Sequence, residues 1–220
     1  MKKDPNFKAI RNEGPKRLGH TILYDDLVKI ADTPIVGIYH ADMYLMPGAL
    51  DFVLKHIKPL SVVSLTRIEP PLHPNGGEKI LKAFGMYPEE FNEKIFGEFV
   101  EQSVNIDKTT NGIFAPWMIY KSDHQNIGGH DPRMHSCRED SDIFNRMSLA
   151  GYKFIQPWDA LVYHFTSRGS RFNKHWGGAA GKNSDEWLQT TTKNGRNFIR
   201  KWGHFIKHTP LMKPIVPPKY

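Results

Sequence analysis

Carboxylates and histidines whose spacing could support chemistry occur at three places in the sequence. The first is IYHADMYLMPGAL at 38–50, where His40 and Asp42 alternate at the end of an apolar run. Alternate residues of an extended strand point to the same side, so both side chains could face one cation. A structural interpretation competes with this one: Asp42 would cap the next helix, near the positive end of its dipole.

The second place is an acidic cluster, Glu139, Asp140 and Asp142, at the start of an apolar helical pattern. Acidic residues at a helix start are ordinary capping chemistry. Three carboxylates within four residues nevertheless repel one another more than a single cap requires. An acid held at such a helix start could act as a general base if its pKa were suitable. The residues alone leave both interpretations open.

The third place is LVYHFTSRGSR at 161–171, where His164 ends an apolar strand and Arg168 and Arg171 follow. A single histidine at a strand end is more often a structural residue than a metal ligand. The two arginines could bind phosphate oxygens in a bidentate manner, or they could be ordinary surface charge.

The predicted elements around these segments alternate between helix and strand. Near-helical apolar spacing predicts a helix over 20–32, and Thr-Pro ends it before a buried strand at 35–39. A second helix is expected to begin at Pro47, and LSVVSLTRI reads as the next strand. This order indicates an α/β layered domain with a largely parallel sheet, and open sheets of this kind bind ligands at the carboxyl ends of their strands.

Later segments continue the alternation. Prolines and glycines predict a loop in EPPLHPNGGEKI, and NGIFAPWMIYKSDHQNIGGHD reads as a strand that runs into an irregular loop. KFIQPWDALVYHFT reads as a strand pair or an extended segment. Further helices are predicted in EEFNEKIFGEFVEQSVN, in SDIFNRMSLAGYKF and over roughly 185–206, ahead of a proline-rich tail.

Composition limits the class of protein. The 220 residues, 39% of them hydrophobic, suffice for one folded domain with an appendage. A single cysteine, Cys137, excludes an internal disulfide and fits a reducing compartment, so we expect a cytoplasmic protein. No apolar run approaches the length of a membrane span, and the first residues lack the apolar stretch of a secretory signal.

A formal net charge of +7 suggests an anionic partner. Nucleic acids, nucleotides and phosphorylated donors are all anionic, and a solvated basic face would also account for the charge. No recognisable DNA or RNA motif accompanies it, which argues against a nucleic-acid partner. The 11 histidines show neither H-E-x-x-H nor a Cys/His finger spacing, which argues against a metallohydrolase.

The order of these segments resembles that of the GT-A fold glycosyltransferases, family 2 in particular, over roughly residues 7–170. In that family an Asp-x-Asp motif ends a strand and a helix started by proline follows. Here His40-Ala41-Asp42 and Pro47 stand at those positions. A histidine after a later strand, which can complete the metal site in the family, is matched by His164.

Two further segments carry the resemblance. Gly128-Gly129-His130-Asp131 matches the GGFDE-like loop that shapes the acceptor site, and Glu139-Asp140 matches the Glu-Asp motif that heads a helix. The sequence is also similar to the C-terminal catalytic part of animal galactosyltransferases, which share a glycine-rich loop running into a Glu-Asp pair.

The resemblance implies an α/β fold of the GT-A (nucleotide-diphospho-sugar transferase) type, a mixed, mostly parallel sheet flanked by helices. This domain would span 1–172, with a basic helix and proline-rich tail packed on it at 173–220. The family's opening strand, helix and second strand, which hold the nucleotide base, have no counterpart before FKAIRNEG. The domain would therefore be truncated at its N-terminus. A separate chain would supply that half, the first residues would bind the donor in another way, or the transferase would be inactive.

The implied activity is the metal-dependent, inverting transfer of a sugar from a nucleotide-sugar donor to the hydroxyl of a glycan or another acceptor, as in a hexosyltransferase. Asp42 and His164 would hold the metal, with His40 as a third ligand. Because His40 replaces an aspartate, Mn²⁺ is expected to suit the site at least as well as Mg²⁺.

The remaining roles also follow from the resemblance. Asp140 would be the base, Glu139 would orient the acceptor, and Arg168 and Arg171 would contact the diphosphate. Trp117 would stack on an acceptor sugar or, as is commoner for tryptophan, belong to the core. The alternative function is a non-catalytic module that binds a glycan or a nucleotide.

Overall fold

The structure, a computed structural model, describes residues 7–14, 18–135, 137–166, 177–179 and 182–217. Helices and strands follow one another throughout these residues. In chain order they are α1 His20–Ile30, β1 Ile35–Ile38, β2 Met43–Leu45, α2 Ala49–His56, β3 Ser61–Ser64, β4 Thr66–Glu69, β5 Lys79–Leu81, a 3-10 turn Pro88–Glu90, α3 Glu93–Ser103, β6 Asn105–Thr110, β7 Trp117–Tyr120, α4 Lys121–Asn126, α5 Glu139–Leu149, β8 Lys153–Trp158, β9 Leu161–His164 and α6 Asp185–Trp202.

The strands form two mixed sheets. The five-stranded sheet has the order β1-β7-β3-β8-β6, and the four-stranded sheet has the order β2-β9-β4-β5. The β3–β8, β4–β5 and β4–β9 pairs are parallel, whereas the other four described pairs are antiparallel. The expectation of a mostly parallel sheet was therefore wrong, because β7 inserts between β1 and β3 antiparallel to both and β2 folds back onto β9.

Two chain segments pass from one sheet into the other. The chain runs from β3 to β4 through Leu65 alone, and from β8 to β9 through two residues. Backbone bonds from Leu65 N to Pro116 O (3.0 Å) and from Thr66 N to Ala160 O (2.9 Å) hold the crossing. The single strand predicted over LSVVSLTRI is thus two strands, and the carboxyl ends of β4 and β9 lie together.

Most predicted helices are confirmed with shifted ends. The helix predicted over 20–32 is α1, the one near 90–105 is α3, and the one over 185–206 is α6, which ends at Gly203 in the left-handed conformation. α2 begins two residues after Pro47, and its N-cap is Gly48. Since β2 separates Asp42 from α2, Asp42 does not cap that helix.

The core lies between the sheets and the helices that cover them. Trp117, Ile119, Ile143, Met147 and Tyr163 are among its fully buried members. A smaller cluster of Met134, Phe198 and Trp202 packs α6 onto the segment that precedes α5. None of the described helices combines the length and apolar character needed to cross a bilayer. The domain boundary expected at residue 172 lies outside the described residues.

Candidate active site

The end of β9 brings three metal-ligating side chains together. His164 is the register partner of Met43 in the β2–β9 ladder, so Asp42, directly before β2, lies beside it. Asp42 Oδ1 is 3.6 Å from His164 Nε2. One ligand atom from each of His40, Asp42 and His164 lies within 4.8 Å of the other two. Three such atoms can hold one divalent ion and leave positions open.

A buried carboxylate fixes the orientation of His164. His164 Nδ1 donates to Glu69 Oε1 (2.8 Å), which leaves Nε2 directed towards Asp42. Histidines that bind a metal usually donate their other ring N–H to a carboxylate in this way. Burial alone would lower the pKa of His164, but the hydrogen bonds to Asp42 and Glu69 outweigh burial and hold it above its usual value.

Glu69 belongs to a buried network of opposite charges. Arg67 Nη1 is 2.6 Å from Glu69, Arg67 Nη2 is 3.2 Å from Glu78, and Lys79 Nζ is 3.0 Å from Glu69. Burial would raise the pKa of Glu69, but the charges of Arg67, His164 and Lys79 hold it well below its usual range. Glu69 is therefore ionised at any working pH. No motif in the sequence pointed to this glutamate, which ends the buried strand β4.

His40 faces this ligand group with an unsatisfied nitrogen. Its Nε2 is buried and has no hydrogen-bond partner in the part of the chain that the structure describes. Burial, followed by the nearby charge of His164, lowers the pKa of His40 to about 4, so its imidazole is neutral at pH 7. A neutral ring is the form that binds metals. A buried polar atom without a partner is rare in native proteins, so an absent ligand accounts well for it.

The Glu139–Asp140 pair opens α5 without capping it. Arg138 occupies the N-cap with φ 75°, and its side chain makes no capping bond. His20 Nε2 donates to Glu139 Oε1 (2.7 Å). Glu139 Oε2 and Asp140 Oδ1 are buried, and no described residue bonds to either. Trp117 Nε1 lies near Asp140 without meeting hydrogen-bond geometry.

The two carboxyl groups have pKa values pushed in opposite directions. Burial, and then the charge of Glu139, raises the pKa of Asp140 to about 6. Burial acts on Glu139 in the same direction, but the hydrogen bond from His20 outweighs it and lowers the pKa of Glu139. Such a divergence is the usual sign of an acid–base pair with divided roles. Asp140 is ionised at pH 7 and can still take up a proton.

Asp142, the third member of the acidic cluster, has a structural environment. It is fully buried and accepts bonds from Arg146 Nε (3.0 Å) and Trp202 Nε1 (2.9 Å). Lys201 Nζ lies 2.7 Å from Asp142 Oδ1, the oxygen that also accepts the bond from Trp202. Asp142 therefore escapes the repulsion expected within the cluster because it bonds to α6, whereas Glu139 and Asp140 remain beside each other.

Tyr24 connects the metal-ligating group with the carboxyl pair. Its ring is 6.2 Å from that of His40, at an angle of 4°, and 5.3 Å from that of His20. Burial, and then the charges of Asp140, Glu139 and Asp42, raises the pKa of Tyr24 far above its usual value. One ring is thus within electrostatic reach of both groups. Sequence reasoning missed His20 and Tyr24, although their spacing of four residues on α1 places them on one face.

The predicted acceptor loop is engaged with the protein itself. His130 is buried and bonded to Asp25, and Asp131 is bonded to Arg133 (2.7 Å) and Lys201 (2.7 Å). Gly128 has φ 84° and open space where a Cβ would lie. Gly129 has φ 62° and packs against Asp25. A role of these four residues in binding an acceptor stays a prediction.

Among the described residues, Trp117 is a predicted acceptor-binding residue that does not join the site. Trp117 is fully buried and its ring contacts His124, His130 and Phe144, so stacking on an acceptor would require its neighbours to move. Its burial fits the alternative, a core residue. Arg168 and Arg171 lie outside the described residues, and their contact with a diphosphate stays a prediction.

Comparison with known proteins gives distant structural likenesses only. No protein-family model matches the sequence, and no curated protein matches it either. A crystal structure of GalNAc-T7 with UDP, GalNAc and Mn²⁺ matches 71% of this chain with a TM-score of 0.49 and 11% identical residues. The chain spans about a third of that structure's length, 31%. The chain thus has a distant structural similarity to part of GalNAc-T7, and this level of similarity assigns neither family nor activity.

Proposed function

We propose that this chain is the catalytic part of a metal-dependent glycosyltransferase that moves a sugar from a nucleotide-sugar donor to an acceptor hydroxyl with inversion. The observation that carries the proposal is the approach of two groups to Tyr24: the His40–Asp42–His164 triad and the Glu139–Asp140 pair. Glycosyl transfer needs a charge-stabilising centre and a base held together, and these two groups provide both. The order of the motifs along the chain supports the same activity.

The triad fits a divalent cation. Two imidazoles and one carboxylate suit a transition metal such as Mn²⁺ better than Mg²⁺, which prefers oxygen ligands. When bound there, the cation would supply positive charge for the departing diphosphate. Glu69 fixes the His164 ring in the orientation that this role requires, through a 2.8 Å hydrogen bond.

The carboxyl pair would handle the acceptor. Asp140 is ionised at pH 7, has a free buried oxygen and would take the proton of the attacking hydroxyl. Glu139, held ionised by His20, would accept a hydrogen bond from the acceptor and orient it. A single base opposite the leaving group is the arrangement of an inverting displacement.

The open edge of β1 favours a second chain as the source of the nucleotide-binding half. Among the described strands β1 pairs with β7 alone, so its other edge can accept a strand. Two apolar grooves of about 390 and 420 Å³ meet at Gly37–Tyr39, one lined by α1 and the other by Leu50 and Trp117. An added strand with apolar side chains would cover both.

A screen of sugar nucleotides with and without Mn²⁺ tests the function, since a bound donor raises the melting temperature by mass action. We expect one donor to stabilise the chain, or its complex with the second chain, and only when Mn²⁺ is present. Asp42→Asn should abolish this shift, whereas Asp51→Asn, an exposed acid on α2, should keep it. A shift of the same size in both variants would refute the site.

The alternative function, a binding module without turnover, has the same requirement for the metal triad. The two functions differ in the expected effect of replacing Asp140. In a binding module the replacement would leave ligand binding intact, and the parent would show no turnover. Turnover of donor into product by the parent, together with its loss in Asp140→Asn, would exclude the binding module.

A further inference from the structure

A second group of potential metal ligands also lies near Tyr24, whose ring is 5.5 Å from that of His130. It consists of Asp25 on α1, His124 on α4 and His130 in the loop before α5. One ligand atom from each lies within 4.8 Å of the other two. Asp25 Oδ1 is 2.7 Å from His130 Nδ1 and 3.6 Å from His124 Nε2.

The two histidines are buried deeply and are not fully satisfied. Their side chains are 3% and 0% exposed, whereas that of Asp25 is 23% exposed. Nε2 of His124 and Nε2 of His130 have no hydrogen-bond partner among the residues that the structure describes. An unsatisfied His124 Nε2 that faces the Asp25 carboxylate is costly unless a ligand is present, and His130 directs its Nδ1 to the same carboxylate oxygen.

The backbone prepares Asp25 for this arrangement. Its Oδ2 accepts a bond from the His130 backbone N (2.8 Å), which leaves Oδ1 to face both rings. Gly129 makes the approach possible, because a Cβ at this position would lie 2.6 Å from Oδ2 and its φ is 62°. Trp117 packs against the two imidazoles, with ring centroids 6.2 and 6.0 Å away. The ligand atoms are thus held by rigid neighbours.

The surrounding charge permits a cation. Arg146 lies close enough to His124 to help lower the pKa of His124, after burial and the charge of His130, to about 4. Its guanidinium is bonded to Asp142 and to the carbonyls of Ile127 and Gly129, which offset its charge.

We propose that Asp25, His124 and His130 form a second metal site, distinct from His40–Asp42–His164, that takes a transition metal such as Zn²⁺. Two nitrogens and one oxygen are a common donor set for Zn²⁺ with one position left open. Neighbouring ligand atoms around a tetrahedral Zn²⁺ lie about 3.3 Å apart, given bonds of about 2.0 Å. The observed distances from Asp25 Oδ1, 2.7 Å to His130 Nδ1 and 3.6 Å to His124 Nε2, bracket that value.

The ion would fasten α1 to the loop that precedes α5. α1 carries His20 and Tyr24, which contact Glu139 and His40. Occupancy of the second site would therefore position the helix that serves the proposed active site. Its role is structural, and its existence does not depend on the proposed function.

Zn²⁺ titration by calorimetry, with the bound metal counted after dialysis, tests the site. Asp25→Asn should lose one equivalent of Zn²⁺ relative to the parent. Asp26→Asn is the matched control, because Asp26 follows Asp25 on the same helix and pairs with the exposed Lys29, at 2.8 Å. This control should bind as many equivalents as the parent.

His124→Phe keeps a ring against Trp117 and leaves the Asp25–His130 bond in place, so it separates ligation from folding. It should also lose one equivalent, and Zn²⁺ should raise its melting temperature less than that of the parent. Combination with Asp42→Asn should remove a further equivalent, which distinguishes the two sites. Retention of the parental stoichiometry by folded Asp25→Asn and His124→Phe would overturn the proposal, as would a parent that binds Zn²⁺ only through Asp42.

Discussion

Two buried charged clusters flank the proposed metal triad, and they differ in how completely they are paired. In the Arg67–Glu69–Glu78–Lys79 cluster each side chain has an opposite charge within 3.2 Å. In the Glu139–Asp140 cluster two like charges adjoin, and Glu139 Oε2 and Asp140 Oδ1 lack partners among the described residues. The paired cluster fixes the positions of its side chains, whereas the Glu139–Asp140 cluster has carboxylate oxygens that can still bind a ligand. Buried charged groups that lack partners are therefore a better indication of a functional site than fully paired ones.

The largest effect is expected from breaking the paired cluster. Arg67→Met leaves two glutamates buried without their main counter-charge, so the free energy of unfolding should fall by about 3–5 kcal/mol. Arg200→Met, at an exposed position of α6, should change it by no more than about 0.5 kcal/mol. Chemical denaturation measures both. A loss below about 1 kcal/mol at Arg67 would mean that the cluster contributes little to folding.

Removal of the proposed base should come next. Asp140→Asn keeps the size of the side chain but cannot accept a proton, so turnover should fall about a hundredfold or more. Stability should stay the same or rise, because a neutral amide relieves the repulsion with Glu139. Asp142→Asn, two residues along the same helix, should show the reverse: lower stability through its bonds to Arg146 and Lys201.

Steady-state kinetics on an active preparation, with the nucleotide-binding chain added where it is required, separates these variants. Turnover of Asp140→Asn within a few-fold of the parent would leave Asp140 as an acidic first-turn residue of α5 with no part in proton transfer.

A smaller effect is expected where the paired cluster meets the triad. Glu69→Gln removes the charge behind His164, so Mn²⁺ affinity measured by calorimetry should fall about tenfold. Glu78→Gln removes a charge from the same cluster without touching His164 and should leave Mn²⁺ affinity unchanged. Equal losses in both variants would show that the cluster acts through general stability and not through the orientation of His164.

The smallest effect concerns pH. The pKa of Asp140, raised to about 6 from 3.8, means that protonation favours the folded state as the pH falls through 6. Between pH 7 and pH 5 the parent should therefore gain about 1 kcal/mol of stability relative to Asp140→Asn. Turnover should fall over the same interval, since the protonated acid is no longer a base. A pH-independent stability difference would contradict the raised pKa.

The sequence predicted the grouping of three potential ligand residues better than the sheet around them. His40, Asp42 and His164 could be singled out because each follows an apolar strand, and the structure brings all three together. The sheet order could not be predicted, because periodicity records which face of a strand is buried and not which strand lies beside it. β7 therefore read as one more strand, with nothing to show that it runs antiparallel between β1 and β3.

Glu69 and His20 show the second reason for what was missed. Both act through a partner distant in the chain, at separations of 95 and 119 residues. Neither stands in a local pattern of ligating residues, and Glu69 follows a run that predicts only a buried strand. Their roles arise from tertiary contact, which one sequence does not record.

Lys201 has a consequence for how the molecule opens. It bonds both Asp131 and Asp142, and its neighbour Trp202 also bonds Asp142, so α5 cannot separate from the last turn of α6 without breaking two bonds to the buried Asp142. In hydrogen exchange the backbone amides of α5 and of this last turn should therefore share one opening free energy, as a single cooperative unit. The first turns of α6 take no part in these bonds, so their backbone amides should exchange sooner. One continuous helix would then have two opening free energies.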